Sequence, residues 1–181
     1  MIRKVVTALV LATLASALIL AGCKAKPKVV EEQGPTKQAY KSKGDEGTIT
    51  GKIAFDGTPP APKKIDMSQD ANCASTAGDK SADDLVVADG KLQNVYVYLK
   101  GGGIEKFSYA VPSDPVVLDQ QGCRYHPRVL GIQKEQTLKI VNSDPTTHNV
   151  HPSPKVNQEF NQSQAPGQAP IEKKFNRKEL L

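Results

Sequence analysis

The chain has 181 residues, 38% of them hydrophobic and none of them tryptophan, so one domain with a modest core and some appendages is expected. Its net charge of +5 is unevenly spread: residues 1–46 carry eight basic and four acidic side chains, whereas the rest carries sixteen and fifteen. The body is nearly neutral, and nucleic-acid binding is not predicted, because that function needs a concentrated basic face. No nucleophile–base pair stands out among the scattered acids, so an enzyme is not predicted either.

The N-terminal segment has the pattern of an export signal. Residues 1–22 combine a basic start, an apolar run and small residues at the end. The apolar run, residues 5–20, is shorter than the ~20 residues that a membrane span needs. The four residues at the end of this segment, Leu-Ala-Gly-Cys at positions 20–23, resemble the lipobox of bacterial lipoproteins. This resemblance implies cleavage before Cys23 and lipidation of its thiol.

A lipoprotein signal also implies a location. The protein is expected on the periplasmic side of a bacterial membrane, held there by acyl chains. Lys24 after the cysteine resembles lipoproteins of the outer membrane more than those of the inner one. Residues 23–46 are rich in Lys, Glu, Gln, Gly and Pro without a usable period, which predicts a lipidated, disordered tether. Cysteines in this compartment are expected to be oxidised.

Residues 47–181 are predicted to form the folded domain, as short strands separated by turns. Alternation of apolar and polar residues predicts strands at 48–55 and 95–99, the second after a hairpin turn at Asp89-Gly90. Further strands are predicted at 115–118, 137–141 and 171–175. No window past the signal has a helical period, so an antiparallel sandwich or barrel is predicted. The polar stretch 66–84 and the amide- and proline-rich residues after Val156 are predicted as loops.

The stretch 137–152 carries the candidate site. After the strand, Asn-Ser-Asp-Pro at 142–145 predicts a turn, and the chain resumes as a second strand that begins near His148. Successive side chains of a strand point to opposite faces, so His148 shares a face with Val150. If Val150 faces the core, His148 lies inward beside a rigid turn. A metal ligand and an ordinary strand-end histidine both remain open on this pattern alone.

The run LKIVNSDPTTHNVH, residues 138–151, resembles the first metal-ligand segment of a cupredoxin. It is most similar to the cupredoxin-like domains of periplasmic bacterial proteins related to plastocyanin. The resemblance implies a Greek-key β-sandwich of cupredoxin type, with His148 as a copper ligand. It also implies that Asn149 belongs to the hydrogen-bond network that holds the ligand loops, and that His151 has no ligand role.

Once Cys23 is lipidated, two cysteines remain, and two chemistries are open for them. In the first, Cys73 and Cys123 form a disulfide, and the segments around them resemble two cysteine segments of the same family. In the second, Cys123 and His126 form a Cys-x-x-His pair that joins His148 in a type 1 copper site. The disulfide is favoured, because the ligand Cys of a cupredoxin follows the first His and because a thiolate ligand leaves Cys73 unpaired.

The family pattern runs on past the end of this sequence. After a segment like residues 171–175 it supplies a Cys, a second His and a Met in one loop, and residues 176–181 contain none of these. The resemblance therefore implies that the sandwich lacks its last strands here and that the remaining copper ligands lie beyond Leu181.

Two functions follow from these patterns. The predicted function of the complete protein is that of a lipid-anchored, extracytoplasmic copper protein that passes single electrons between redox protein partners in the envelope. The alternative is a non-metal, envelope-anchored β-sandwich that serves as a binding or structural module, braced by Cys73 and Cys123.

Overall fold

The computed structural model describes residues 36–76, 78 and 80–181. The predicted signal peptide, the lipidation site at Cys23 and most of the predicted tether lie outside these residues. Residues Lys37–Leu181 form one compact unit. No helix in the described part of the chain is long and apolar enough to cross a membrane.

Short strands joined by irregular segments make up the described residues, which confirms the predicted all-β class. In chain order the elements are β1 (Gln38–Ala39), α1 (Ala71–Thr76), β2 (Val87–Ala88), β3 (Lys91–Leu92), a 3-10 turn (Ile104–Lys106), β4 (Phe107–Ser108), β5 (Val116–Gln121), β6 (Arg124–His126), β7 (Leu138–Asn142), β8 (His148–Val150), β9 (Gln162–Gln164) and β10 (Ile171–Lys173).

The main sheet has four strands in the order β10-β7-β5-β6. β7 pairs antiparallel with β10, and β5 pairs antiparallel with β6. The central pair, β5 with β7, is parallel, so the sheet is mixed and not purely antiparallel as predicted. The reason is that the hairpin strand β6 pairs with one edge of β5. The other edge of β5 pairs with β7, which runs in the same direction as β5.

β8 and β9 form a separate antiparallel pair that packs on the main sheet. Val150 of β8 belongs to the same buried cluster as Leu138 and Ile140 of β7 and Ile171 of β10. The alternation predicted for residues 137–141 is confirmed, since Leu138 and Ile140 are buried and Ile140 has no exposed surface. Burial of one such side chain contributes about 1.5–3 kcal/mol, so this face of β7 anchors the domain.

The strand predicted at residues 48–55 does not form. Within it, the structure has one bridged pair, Ala54 with Lys91, and Ile49 is 81% exposed. The alternation has the right period, but a strand also needs a neighbour that pairs with it and covers its apolar face.

The hairpin predicted at Asp89-Gly90 does form, but its strands are only two residues long. Asp89 and Gly90 have φ values of 51° and 69°, which a type I′ turn requires. The strand predicted at residues 95–99 is absent, and Val97 in its middle is 71% exposed. The local turn signal was sufficient for the hairpin, whereas the alternating residues after it have no partner strand among the described residues.

Three elements fall where the sequence predicts loops or tether. α1 lies within the polar stretch 66–84 and is preceded by Asp70, whose Oδ1 accepts the N–H of Cys73 at 2.9 Å. β9 lies in the amide-rich stretch, and β1 lies in the predicted tether, where it pairs with β4. Each is too short to produce a period in the sequence, and each depends on a cap or a distant partner strand.

Candidate functional site

The turn that leads to His148 is fixed by the side chain of Asn142 at the end of β7. Asn142 Oδ1 accepts the backbone N–H of Asp144 at 3.0 Å, which is an Asx turn. Asn142 Nδ2 donates to the carbonyls of Thr146 at 2.8 Å and Gln164 at 2.9 Å. One amide therefore ties together the end of β7, the turn and β9, and it sets the position at which β8 begins.

His148 opens β8 and lies inward, as the parity of the strand predicts. It shares a face with Val150, which is buried in the core, and only 16% of the His148 side chain is exposed. Its Nε2 lies 2.7 Å from Oδ2 of Asp144. A partner four residues earlier in the same turn thus orients the ring.

Asp144 is the centre of this cluster, and its carboxylate is buried. Oδ1 accepts the N–H of Gly122 and Oδ2 accepts the N–H of Cys123, both at 2.7 Å. Burial alone raises the pKa of Asp144, but the hydrogen bonds from Cys123, His148 and Gly122 outweigh it and hold the pKa below its usual value. At neutral pH this side chain is therefore an ionised carboxylate.

The ionised carboxylate defines the tautomer of His148. A carboxylate only accepts hydrogen bonds, so the Nε2 of His148 carries the proton. In the neutral ring, Nδ1 then keeps its lone pair. Metal-ligating histidines are usually held in this way, with one ring N–H on a carboxylate and the other nitrogen on the metal.

His148 borders a small cavity with a volume of about 120 Å³, lined by Gln120, Cys123, Arg124, Tyr125, His148 and Asn149. The cation in this wall, Arg124, is paired: its Nη1 lies 3.4 Å from Asp83 and its Nη2 contacts the carbonyl of Ser81. Tyr125 donates its hydroxyl to the carbonyl of Asn149 at 3.2 Å, and burial raises its pKa.

Within the described residues, one group of three potential metal donors has all its ligand atoms within 4.8 Å of one another: Cys123, Asp144 and His148. The sulfur of Cys123 lies 1.97 Å from that of Cys73, so the two form a disulfide and Cys123 is not a thiolate. A type 1 copper site needs two imidazoles and a thiolate. The described residues at this cavity thus supply one imidazole and oxygen atoms as donors. They supply neither the second imidazole nor the thiolate of a type 1 site.

The other candidate residues lie apart from this group. His126 is exposed, contacts the carbonyl of Gln121 at 3.1 Å and borders a second cavity of about 520 Å³. The alternative in which Cys123, His126 and His148 share a metal has no support in the described residues, because Cys123 is in the disulfide and the group of potential donors around His148 does not include His126. The exposed His151 pairs with Glu159.

Asn149, expected in the network around the ligand loops, takes part in hydrogen bonds at this site. Its Nδ2 donates to Oδ1 of Asn161, and its carbonyl accepts the Tyr125 hydroxyl. These bonds join β8 to the segment before β9 and to β6, so Asn149 helps to hold the wall of the cavity.

Sequence reasoning missed Asp144 and Gln120. Asp144 was assigned only a role in the turn. Gln120 carried a usable signal, because Val116, Leu118 and Gln120 alternate on one face of β5, and a polar residue in phase with two core residues is unusual. Its position beside His148 depends on the pairing of β5 with β7, which that signal does not contain.

Comparison with known proteins gave no match to a family model, a curated protein or a solved structure. The resemblance to cupredoxins therefore stays a prediction, and function must be inferred from the residues of this chain.

Proposed function

We propose that this protein binds one copper ion beside His148 and passes single electrons between redox protein partners, as a lipid-anchored, extracytoplasmic protein with a Greek-key cupredoxin fold. The observation that carries the proposal is the position of the His148 ring. It is largely buried, and its Nε2 lies 2.7 Å from the ionised Asp144, so that in the neutral ring Nδ1 would keep the lone pair that a metal needs.

Charge at the site supports a cation. Asp144 is held ionised, and Asp70 lies close enough to His148 for their charges to interact. The pKa of Asp70 is lowered by hydrogen bonds from the N–H of Cys73 and from Thr146, so this carboxylate is also ionised at neutral pH. Arg124 pairs with Asp83, which also pairs with Arg128. The support for a cation is therefore that two ionised carboxylates, Asp144 and Asp70, interact with His148.

The rigidity of the site suits electron transfer. Copper, when bound, supplies the one-electron chemistry, and the task of the chain is to hold its ligands in one arrangement. Asp144 orients His148, and Asn142 fixes the turn between them. The Cys73–Cys123 disulfide ties the hairpin whose N–H groups bind Asp144 to α1. Ligands held in this way need little movement between oxidation states.

One imidazole does not make a type 1 site. The cupredoxin resemblance implies a second imidazole and a thiolate as further ligands, and the described residues around His148 supply neither. The proposal assigns the copper thiolate to a cysteine other than Cys123, which is in the disulfide.

Copper titration of the purified protein in detergent tests the proposal. We expect Cu(II) to give an electron paramagnetic resonance spectrum with nitrogen coupling and an intense visible absorption from a thiolate ligand. Both signals should be lost in His148→Ala. His151→Ala is the matched control, because His151 is an exposed histidine three residues away, and it should keep both. Equal copper binding by the two variants contradicts the proposal.

The alternative, a non-metal binding or structural module, is favoured by one specific observation. Asp144 already receives hydrogen bonds from His148, Gly122 and Cys123, so the cluster is satisfied without an ion. Under this alternative His148→Ala lowers the free energy of unfolding, and the wild-type protein binds no copper with nitrogen coupling.

A further inference from the structure

The β5–β6 hairpin has a polar face that points away from the core. Leu118 of β5 packs against the buried cluster, so Asp119 and Gln121, which alternate with it along the strand, point to the opposite side. The register pairs Asp119 with His126 and Gln121 with Arg124. Because paired residues of neighbouring strands share a face, an imidazole and a guanidinium also lie on this side.

The segment 81–87 runs beside this face and is held to it by arginines. Arg124 donates to the carbonyl of Ser81, and its Nη1 lies 3.4 Å from a carboxylate oxygen of Asp83. Arg128, shortly after β6, contacts the same carboxylate through its Nε, also at 3.4 Å. The hairpin and this segment line one cavity with a volume of about 520 Å³. Side-chain contacts therefore fix the two parts of its wall to each other.

The wall of this cavity, which we term the hairpin cavity, has an apolar part and a polar part. The segment 81–87 contributes three half-buried apolar residues, Leu85, Val86 and Val87. The hairpin contributes the polar residues Gln121, Arg124 and His126. Small-molecule sites commonly have volumes of roughly 300–1,000 Å³, mainly apolar walls and a few polar groups that orient the ligand. The hairpin cavity has the size and the composition for a small organic ligand.

The charged side chains at the hairpin cavity leave an excess of positive charge. Asp83 in the wall is paired with two arginines, Arg124 and Arg128. A third cation is close to the wall, because the Nζ of Lys64 donates at 2.8 Å to the Oγ of Ser81, which also lines the cavity. Three cations therefore meet one carboxylate here.

Asp83 is the only acid among the described residues that line this cavity. Asp84, its neighbour in the chain, is exposed. Asp119 is on the same face of the hairpin, but its Oδ2 accepts the hydroxyl of Ser143 at 2.9 Å, and it does not line the cavity. The nearby acids therefore do not cancel the positive charge at the wall.

Arg128 keeps donors for a ligand. Its side chain is 45% exposed, and within the described residues its polar contact is that of Nε with Asp83. A guanidinium presents its N–H donors in a planar fork that matches the two oxygens of a carboxylate. The two Nη groups of Arg128 can therefore bind a carboxylate at the edge of the wall.

We propose that the hairpin cavity binds a small organic carboxylate, with its acidic group at Arg128 and its apolar body against residues 85–87. The apolar body separates this ligand from inorganic anions, and the negative charge separates it from neutral apolar molecules. The inference goes beyond the proposed function and does not depend on it, because neither His148 nor Asp144 lines this cavity.

Nuclear magnetic resonance of the isotope-labelled protein in detergent tests this with two matched probes. Naphthoate has two fused rings and a carboxylate, and naphthamide has the same rings with an uncharged amide. We expect naphthoate to shift the methyl signals of Leu85 and Val87 together with the Nε–H signal of Arg128. Naphthamide should bind on the order of 10-fold more weakly, because it cannot form charge-assisted hydrogen bonds with a guanidinium through two oxygens.

Arg128→Gln isolates the contribution of the charge. We expect it to weaken naphthoate binding on the order of 10-fold and to leave naphthamide binding unchanged. The segment 81–87 stays in place, because Arg124 still holds it. Arg177→Gln is the matched control and should change neither affinity, because Arg177 is exposed and contacts Asn157 only through its backbone.

Equal affinity for the two probes overturns the proposal, because it means that the cavity takes apolar molecules regardless of charge. Unchanged naphthoate binding in folded Arg128→Gln overturns it as well. So does a shift at Arg128 that inorganic phosphate reproduces while Leu85 and Val87 stay unshifted, since this indicates only an ion pair at the surface. If Arg128→Gln does not fold, the comparison of the two probes on the wild-type protein decides.

Discussion

At the scale of single residues, the site depends on Asp144 more than on His148. Its two oxygens accept hydrogen bonds from two backbone N–H groups of the β5–β6 turn and from the His148 ring. One carboxylate therefore holds a hairpin turn and a candidate ligand in a fixed relation. In the sequence Asp144 indicates only a turn, but in the structure its side chain connects that turn to the β5–β6 hairpin and to β8.

Asp144→Asn should be destabilising. An amide keeps one acceptor oxygen but presents an NH₂ group to the second N–H donor, so either Gly122 or Cys123 faces another donor in a buried place. We expect a loss of about 1–3 kcal/mol in the free energy of unfolding, measured by urea denaturation. Asp114→Asn, at an exposed aspartate, is the control and should leave the midpoint unchanged.

The same residue makes a prediction about pH. The pKa of Asp144 is lowered in the folded state, so its stabilising contribution is fully present above the ordinary Asp pKa of about 3.9. That contribution is lost as pH falls below this value through the lowered pKa. We expect the difference in stability between wild type and Asp144→Asn to shrink as pH falls below about 3.9. A difference that stays constant down to pH 2 contradicts an ionised Asp144.

At the scale of elements, the hairpin between β5 and β6 presents the N–H groups that bind Asp144. Its two turn residues, Gly122 and Cys123, have φ values of 62° and 57°. This conformation aims both amides at the carboxylate, and it is unfavourable for a residue with a side chain, as Cys123 is.

A pair of variants isolates the cost of that conformation. In a Cys73→Ala background, which removes the disulfide, Cys123→Gly should be more stable than Cys123→Ala by about 1 kcal/mol, because glycine adopts a positive φ without strain. Urea unfolding of the two double variants measures the difference. Equal stability would mean that the turn relaxes once the disulfide is gone.

Local patterns in the sequence were enough for some elements and not for others. Residues 137–141 and the turn at Asp89-Gly90 were predicted because their signals lie within a few residues. The strand predicted at 48–55 failed because its alternation depends on a pairing partner that no local pattern names. For the site, parity predicted that His148 lies inward. The meeting of His148 with Gln120 depends on the register of two strand pairs, which one sequence does not specify.

At the scale of the whole molecule, attachment to a membrane rests on the sequence around Cys23. If the lipobox functions as proposed, Cys23→Ser abolishes incorporation of labelled fatty acid and moves the protein from the membrane to the soluble envelope fraction. Cys73→Ser is the control for the loss of a cysteine and should still be acylated. Labelling that persists in Cys23→Ser contradicts the proposed anchor.

The parallel pairing of β5 with β7 also implies an order of events during folding. The β5–β6 hairpin closes over two residues and belongs to a class of event that takes about 1–10 μs. β7 must then pair with the opposite edge of β5, and such non-local contacts form slowly. If the hairpin forms first, substitutions that weaken it slow refolding, whereas substitutions in the edge strand β10 mainly accelerate unfolding.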